Sequence, residues 1–439
     1  MQQGHPRLSI MRVRELTVDD NVAYRSLSAG AFGGGFEAVE SRPFSAGETA
    51  IGIGSEQLPG GAPGVVAAGA RIRHDRITLG GGVVDCGGIS GLAVHPAHRG
   101  DGLFRELITA TIARCAQEQL PMSMLYPSHP AIYRRAGYQV VASVQRLLVP
   151  IVDLQHLPKM PDRRLVPVTG ASMPRLHGLY RELTAEDNGM LTREGPLFPA
   201  GLPSGGWSAL LLEDHDGIAH GYVSWTRTAG ENGGAGLEVH EILGRTREDR
   251  LALLRSLGSW STVTESVVLR VRTEDPVLDV LPGSGARPVD GLPLVMMRVI
   301  DTAAAFEARR APAGLAGAVR LVVEDDTVPE GTCRSAGSWL LSAADGRVAA
   351  SPDEGSAPED GSIPGDTGVP DAASSPGGEA AEVLGTARWD IHAAGLLLMG
   401  GRTLADARRL GLSAIADPAA EQFLDALLAG PRPSVLDAF

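Results

Sequence analysis

The sequence predicts an α/β fold with mixed sheets, divided into three units. Short apolar runs alternate with amphipathic helical patterns, which is how strand-and-helix layers are built. One strand, turn, helix and strand unit occurs twice with nearly the same spacing. The length of 439 residues corresponds to about three domains of ordinary size. The boundaries read from the pattern are 1–155, 156–305 and 306–439.

The first unit contains the apolar strand 89–94, which breaks at Pro96. Arg99, Gly100, Asp101 and Gly102 follow. Two glycines just before a helix let the backbone approach an anion closely, with the first helix amides pointing at it. A pyrophosphate completes such hydrogen bonds. Phe104, Leu107, Ile108, Thr111, Ile112 and Cys115 recur at three- and four-residue spacing and predict a helix over 102–119. Strand 122–126 comes next, so a ligand is expected at the carboxyl end of the first strand. No Gly-Lys-Ser or Gly-Lys-Thr follows the glycines, which excludes a P-loop, and the three spaced glycines of a dinucleotide turn are missing. For the turn alone, a helix start without a ligand stays open.

Residues 158–167, with their prolines and charges, read as a linker to the second unit. Its strand, helix and strand are 237–243, 246–260 and 267–273. Thr246-Arg247-Glu248-Asp249 is a capping box, so side chains satisfy the amides that the first unit leaves open, and this copy is expected to lack a ligand site. The third unit starts near Ala311-Pro312-Ala313-Gly314. Residues 319–324 and 386–391 read as strands, and Thr403-x-x-Asp406 and Asp417-Pro418 as helix starts, giving a small mixed sheet with helices.

Composition narrows the function classes. Cys86, Cys115 and Cys333 lie far apart without metal spacing, so neither a disulfide framework nor a zinc site is indicated. Residues 1–10 are polar, without a signal-type apolar stretch, and no run approaches the ~18 residues of a membrane span, so a cytoplasmic chain is expected. Segment 351–382 is rich in Pro, Gly and Ser and reads as a disordered insertion. It carries eight acids and no Lys or Arg, so it holds eight of the thirteen net negative charges and leaves −5 on the rest. That balance argues against nucleic-acid binding and permits a cationic substrate.

The turn is followed by Ser128-His129-Pro130-Ala131-Ile132-Tyr133-Arg134-Arg135-Ala136-Gly137-Tyr138. This pairing of R-x-x-G with I-Y-x-x-x-G-Y resembles the acyl-CoA signature of GNAT N-acetyltransferases, and among them the enhanced intracellular survival (Eis) group. The pieces that match are Ala93-Val94-x-Pro96-x-His98-Arg99, Gly102-Leu103, Ser128, Ile132-Tyr133-x-Arg135-x-Gly137-Tyr138, Ala304-x-Phe306-Glu307-Ala308-Arg309, Gly400-Gly401-Arg402-Thr403-Leu404 and a terminal Phe439. The resemblance implies tandem GNAT domains, the second degenerate, and a sterol-carrier-protein-like C-terminal domain. It implies acetyl-CoA as co-substrate without a metal, an amine acceptor such as an aminoglycoside-like polyamine or a lysine side chain, and a homohexamer.

Acetyl transfer to an amine needs a neutral amine, a stabilised oxyanion and a proton for the departing thiolate. In the family the strand before the turn bulges and pairs with the pantetheine, which here assigns Leu92, Ala93 and Val94, with an amide near Val94 as oxyanion donor. His98, Arg99, Gly100, Asp101, Gly102, Leu103, Phe104 and Ser128 complete the expected coenzyme site. Tyr133 is the expected general acid, because a phenol of pKa about 10 stays protonated at neutral pH; packing against the sheet is its other reading and the preferred one for Tyr138. The resemblance assigns the base, or at least the positioning of the ammonium, to the α-carboxylate of Phe439. Phe32 and Phe36 are expected to line the amine pocket, with Glu37, Glu40 or Asp437 as further candidates. His95 and His129 are expected in structural or phosphate roles. Arg99-Gly100-Asp101 replaces the successive arginines of many relatives and so predicts weaker coenzyme binding. A non-catalytic lipid or acyl-ligand carrier using the C-terminal unit is the rival from another class.

Overall fold

The computed structural model describes residues 12–33, 43–198, 201–203, 205–229, 235–282, 286–289, 291, 293–353 and 382–437. Phe36, Phe439 and most of the expected insertion lie outside them.

Three sheets form the chain. The first runs in the order Arg14–Glu15, Glu48–Gly54, Val66–Leu79, Gly82–Val94, Met122–Leu125, Leu294–Val299, Gln139–Ser143. Gly82–Val94 pairs antiparallel with Val66–Leu79 and parallel with Met122–Leu125, so the sheet is mixed as expected. The helix Leu103–Gln117 crosses between the parallel strands and buries Leu107, Ile108, Thr111, Ile112 and Cys115, the predicted stripe. It stops short of Gln119, which takes a left-handed φ of 56°. Asn21–Phe32 is a second helix against Val66–Leu79 and Gly82–Val94.

The second sheet runs Arg287–Pro288, Gln145–Pro150, Ser266–Val271, Ala235–Gly244, Ala219–Ala229, Ser208–Glu213, Arg164–Pro167. Its helix, Arg247–Leu257, begins on the expected capping box: the Asp249 amide donates to Thr246 Oγ1 at 3.2 Å, and the Thr246 amide to the Asp249 carboxylate at 3.1 Å. The helix ends earlier than expected, at Leu257, because Gly258–Thr262 tightens into a 3₁₀ turn. Part of the expected linker is ordered as the edge strand Arg164–Pro167.

Two strands cross the boundaries drawn on the sequence. Gln145–Pro150 precedes residue 155 yet pairs with Ser266–Val271 in the second sheet. Leu294–Val299 precedes residue 305 yet inserts between Met122–Leu125 and Gln139–Ser143 of the first. The reason is burial: Val295, Met296, Met297 and Val299 are inaccessible to solvent, which only a central strand provides. The second unit is thus an excursion from the first sheet.

The third sheet runs Arg347–Pro352, Gly337–Ala344, Gly317–Glu324, Val383–Asp390, Ala414–Ala416. The helices Leu404–Arg409 and Pro418–Leu427 begin where expected. A further helix, Ile391–Leu398, was not foreseen; it is buried on nearly every side, wedged against the first sheet, so it shows no polar face in the sequence. Arg309 is buried and donates to the carbonyls of Leu398 and Leu427, at the ends of two of these helices, at 2.7 and 3.4 Å. Burial without a carboxylate partner pulls its pKa down to about 10.

Candidate active site

The site starts at a fault in the first sheet. Parallel pairing of Gly82–Val94 with Met122–Leu125 ends at Ile89 and Leu125. The antiparallel register then shifts between Arg71 opposite Ser90 and Gly69 opposite Ala93, leaving Gly91 and Leu92 facing Ala70 as a bulge. Beyond Ile89 the strand therefore has hydrogen-bonding groups on one side without a strand neighbour. Gly91 takes φ 59°, and its carbonyl accepts the Tyr24 hydroxyl at 2.9 Å. A Cβ there would lie 2.2 Å from that hydroxyl, so glycine is required twice over.

Where the strands part, a cavity of 310 Å³ opens, lined by Ser28, Phe32, Arg71, Ser90, Leu92, Tyr126, Ser128 and Tyr133 among others. The expected residues Phe32, Leu92, Ser128 and Tyr133 are thus brought together. Tyr133 is buried, with its ring edge-on to Phe104 at 5.5 Å and to Tyr138 at 6.3 Å. Burial raises its pKa, against a smaller opposite pull from Ser128. Tyr138 belongs to the core, its hydroxyl 2.7 Å from Ser123 Oγ. Buried Arg71 Nε and Ser90 Oγ make no hydrogen bond among the described residues, an unusual state for polar atoms in a cavity wall.

At the turn, Gly100 and Gly102 take φ 97° and 79°, and a Cβ on either would meet nothing within 4 Å. Gly102 caps the helix Leu103–Gln117 with no side-chain hydrogen bond, so its first amides remain available to an anion. Arg99 and Val94 face a second cavity, of 400 Å³, beside helix Asn21–Phe32. Ala93 and Leu103 are buried, leaving their backbones as the groups able to meet a ligand. His98 turns inward: it is buried with Nε2 3.0 Å from Ser55 Oγ, while Asp101 lies 3.8 Å from its Nδ1 and is exposed. His95 accepts the Ala97 amide and His129 is exposed.

The chain end comes to the same place. Asn188 Nδ2 donates to the Pro431 carbonyl, the Ser434 amide to the Asn188 carbonyl, Thr273 Oγ1 to the Pro433 carbonyl and Arg270 to the Leu436 carbonyl. Tyr126, on the cavity wall, donates to the Asp437 carbonyl at 2.7 Å.

A profile described as "Acetyltransferase (GNAT) domain" matches residues 12–141, and another of the same description matches 189–299. N-acetyltransferase Eis of Mycobacterium tuberculosis and of Mycobacterium bovis is 28% identical over 314 residues, 67% of this chain and 73% of theirs. The chain belongs to the GNAT acetyltransferases and is similar to their Eis members. Solved structures agree in fold: Eis1 of Mycobacterium abscessus (TM-score 0.66, 19% identity, 97% of this chain and 100% of that one) and a GCN5-related N-acetyltransferase from Anabaena variabilis (TM-score 0.74, 21%, 98% and 100%).

The second GNAT unit repeats the fault without the cradle. Its parallel pairing ends at Val239 and Leu269, and the register shifts at His240. Its helix amides, however, are capped by Thr246 and Asp249, and Asp249 is itself paired with Arg163 at 2.7 Å. An ion-paired buried acid and a side-chain cap stand where the first unit offers bare amides, so this helix start is already satisfied within the protein. Sequence reading missed Tyr24, Arg71 and Tyr126. A tyrosine two or three residues outside a motif carries no local signal, and Arg71 lies within an ordinary strand pattern. Among the described residues there is no His, Cys, Asp and Glu group able to hold a metal and no helix long and apolar enough to cross a membrane.

Proposed function

We propose that the first GNAT unit transfers acetyl from acetyl-CoA to a primary amine by direct attack in a ternary complex. The observation that carries this is the convergence, on one cavity at the open strand edge, of buried Tyr133 and the incoming chain end at Asp437. Acetyl-CoA supplies a thioester-activated acetyl group, and the uncapped amides after Gly102 suit its pyrophosphate. The free side of residues 90–94 would hold the pantetheine, with an amide near Val94 facing the acetyl oxygen. When the carbon–nitrogen bond forms and the carbon–sulfur bond breaks, Tyr133 Oη gives its proton to the departing sulfur; its raised pKa keeps that proton in place at neutral pH. The proton lost by the amine goes to water or to the α-carboxylate of Phe439. Asp437, held by Tyr126 at the cavity wall, brings the chain toward that role or toward the positioning of the ammonium.

Carried forward from the resemblance are a sterol-carrier-like C-terminal domain, a cytoplasmic location and a homohexamer, the last checked by light scattering. The lipid-carrier reading gains no support, since Phe306, Trp389, Leu396 and Leu397 fill the space between the third sheet and its neighbours. The deciding experiment incubates the protein with acetyl-CoA and a set of amines, comparing the native end with one extended past Phe439. Acetylated product that is lost on extension supports the reading; a fully active extended chain removes Phe439 from the mechanism.

A further inference from the structure

The second fault encloses a cavity of its own, 380 Å³, reaching from the second sheet to the chain end. Trp207, Phe198, Leu176, Leu197 and Leu436 supply the large apolar side chains of its wall. It borders the active cavity, for two reasons. Tyr126 lines the active cavity and Asp437 lines this one, and a single hydrogen bond of 2.7 Å joins them. Arg71 lines the active cavity, while Arg73, two residues along the same strand and hence on the same face, lies over the ring of Phe198 at 5.6 Å. The two spaces are therefore within one small molecule's length of each other.

The charges of the second cavity are spent internally. Arg193 is ion-paired with Glu241 and, at 3.0 Å, with Asp437, and its guanidinium lies 3.9 Å over the Tyr180 ring. Tyr222 adds a hydrogen bond to Glu241 at 2.5 Å. Burial raises the Asp437 pKa, while Arg193 holds that of Glu241 down. Arg270, which donates to the Leu436 carbonyl and has no ion pair among the described residues, brings the two acids and two cations to balance. His177 and His240 are held toward the neutral form by burial. Among the described residues of this wall no carboxylate is left to receive a second ammonium, and moving one out of water without such a partner is unfavourable. An aromatic or aliphatic group meets matching walls.

We propose that this cavity is the distal acceptor subsite and that the acceptor is a monoamine bearing an aromatic or apolar group, rather than a polycation. This rests on the acetyl-transfer reading and narrows it. The experiment measures kcat/KM with acetyl-CoA for 2-phenylethylamine and for spermidine, in the native chain and in Trp207→Ala, whose side chain is only partly buried, with CoA binding by calorimetry as the check that the variant is folded. The expected result is a preference of at least tenfold for 2-phenylethylamine that falls toward unity in Trp207→Ala, mainly through KM. A preference for spermidine, or a ratio untouched by Trp207→Ala, overturns the subsite while leaving acetyl transfer standing. Acetylation of neither amine, together with no calorimetric binding of CoA, overturns both.

Discussion

Gly102→Asp separates coenzyme binding from folding. A Cβ at this position meets nothing within 4 Å, so no packing is lost. The left-handed φ of 79° costs about 1 kcal/mol for a non-glycine residue, and a capping hydrogen bond returns roughly 0.5–1 kcal/mol, so the melting temperature should hardly move. The carboxylate, however, would stand about 5 Å from a pyrophosphate oxygen at the helix start. At an effective dielectric near 20 that repulsion is roughly 3 kcal/mol per unit charge, or about a hundredfold in affinity. Calorimetric titration with CoA reads the change, with Gly102→Ala as the control expected to stay within a few fold. A CoA affinity altered less than threefold by Gly102→Asp, with melting unchanged, would show that the pyrophosphate does not sit on this turn.

Tyr133→Phe should lower kcat about a hundredfold in a thiol-release assay while the CoA affinity stays within about threefold. Because burial raises the Tyr133 pKa, its acid form persists as pH rises, so kcat should show no alkaline fall from this group below about pH 10; an earlier fall that vanishes in Tyr133→Phe would refute the assignment. Gly91→Ala should cost about 1–2 kcal/mol for the left-handed conformation and about 1–3 more for the displaced Tyr24 hydroxyl, read as a lower melting temperature and lost activity. An unchanged melting curve would contradict the bulge geometry.

The elements around the turn were legible because their determinants are local. The stripe from Phe104 to Cys115 and the Thr246 capping box write their periodicity and spacing into a dozen residues. What the sequence concealed is what depends on partners far away. Leu294–Val299 reads as an ordinary apolar strand and does not announce that it returns to the first sheet. Ile391–Leu398 is apolar all round because three sides are covered by separate elements. In the candidate site, the motif points to the glycines, Ser128 and Tyr133, and the last two line one cavity; it also points to His98, whose ring is turned inward onto Ser55. Tyr24, Arg71 and Tyr126 act through a bulge and a chain end that no local pattern reveals.

Tyr126 meets its hydrogen-bond partner 311 residues further along the chain. During synthesis the first sheet also waits for Leu294–Val299, and the cleft wall waits for Asp437. A nascent chain therefore holds no finished site until Asp437 has been made and has left the ribosome, and a product cut short before it would lack one edge of the cleft. A protease that cuts ahead of Asp437 would therefore act as an off switch.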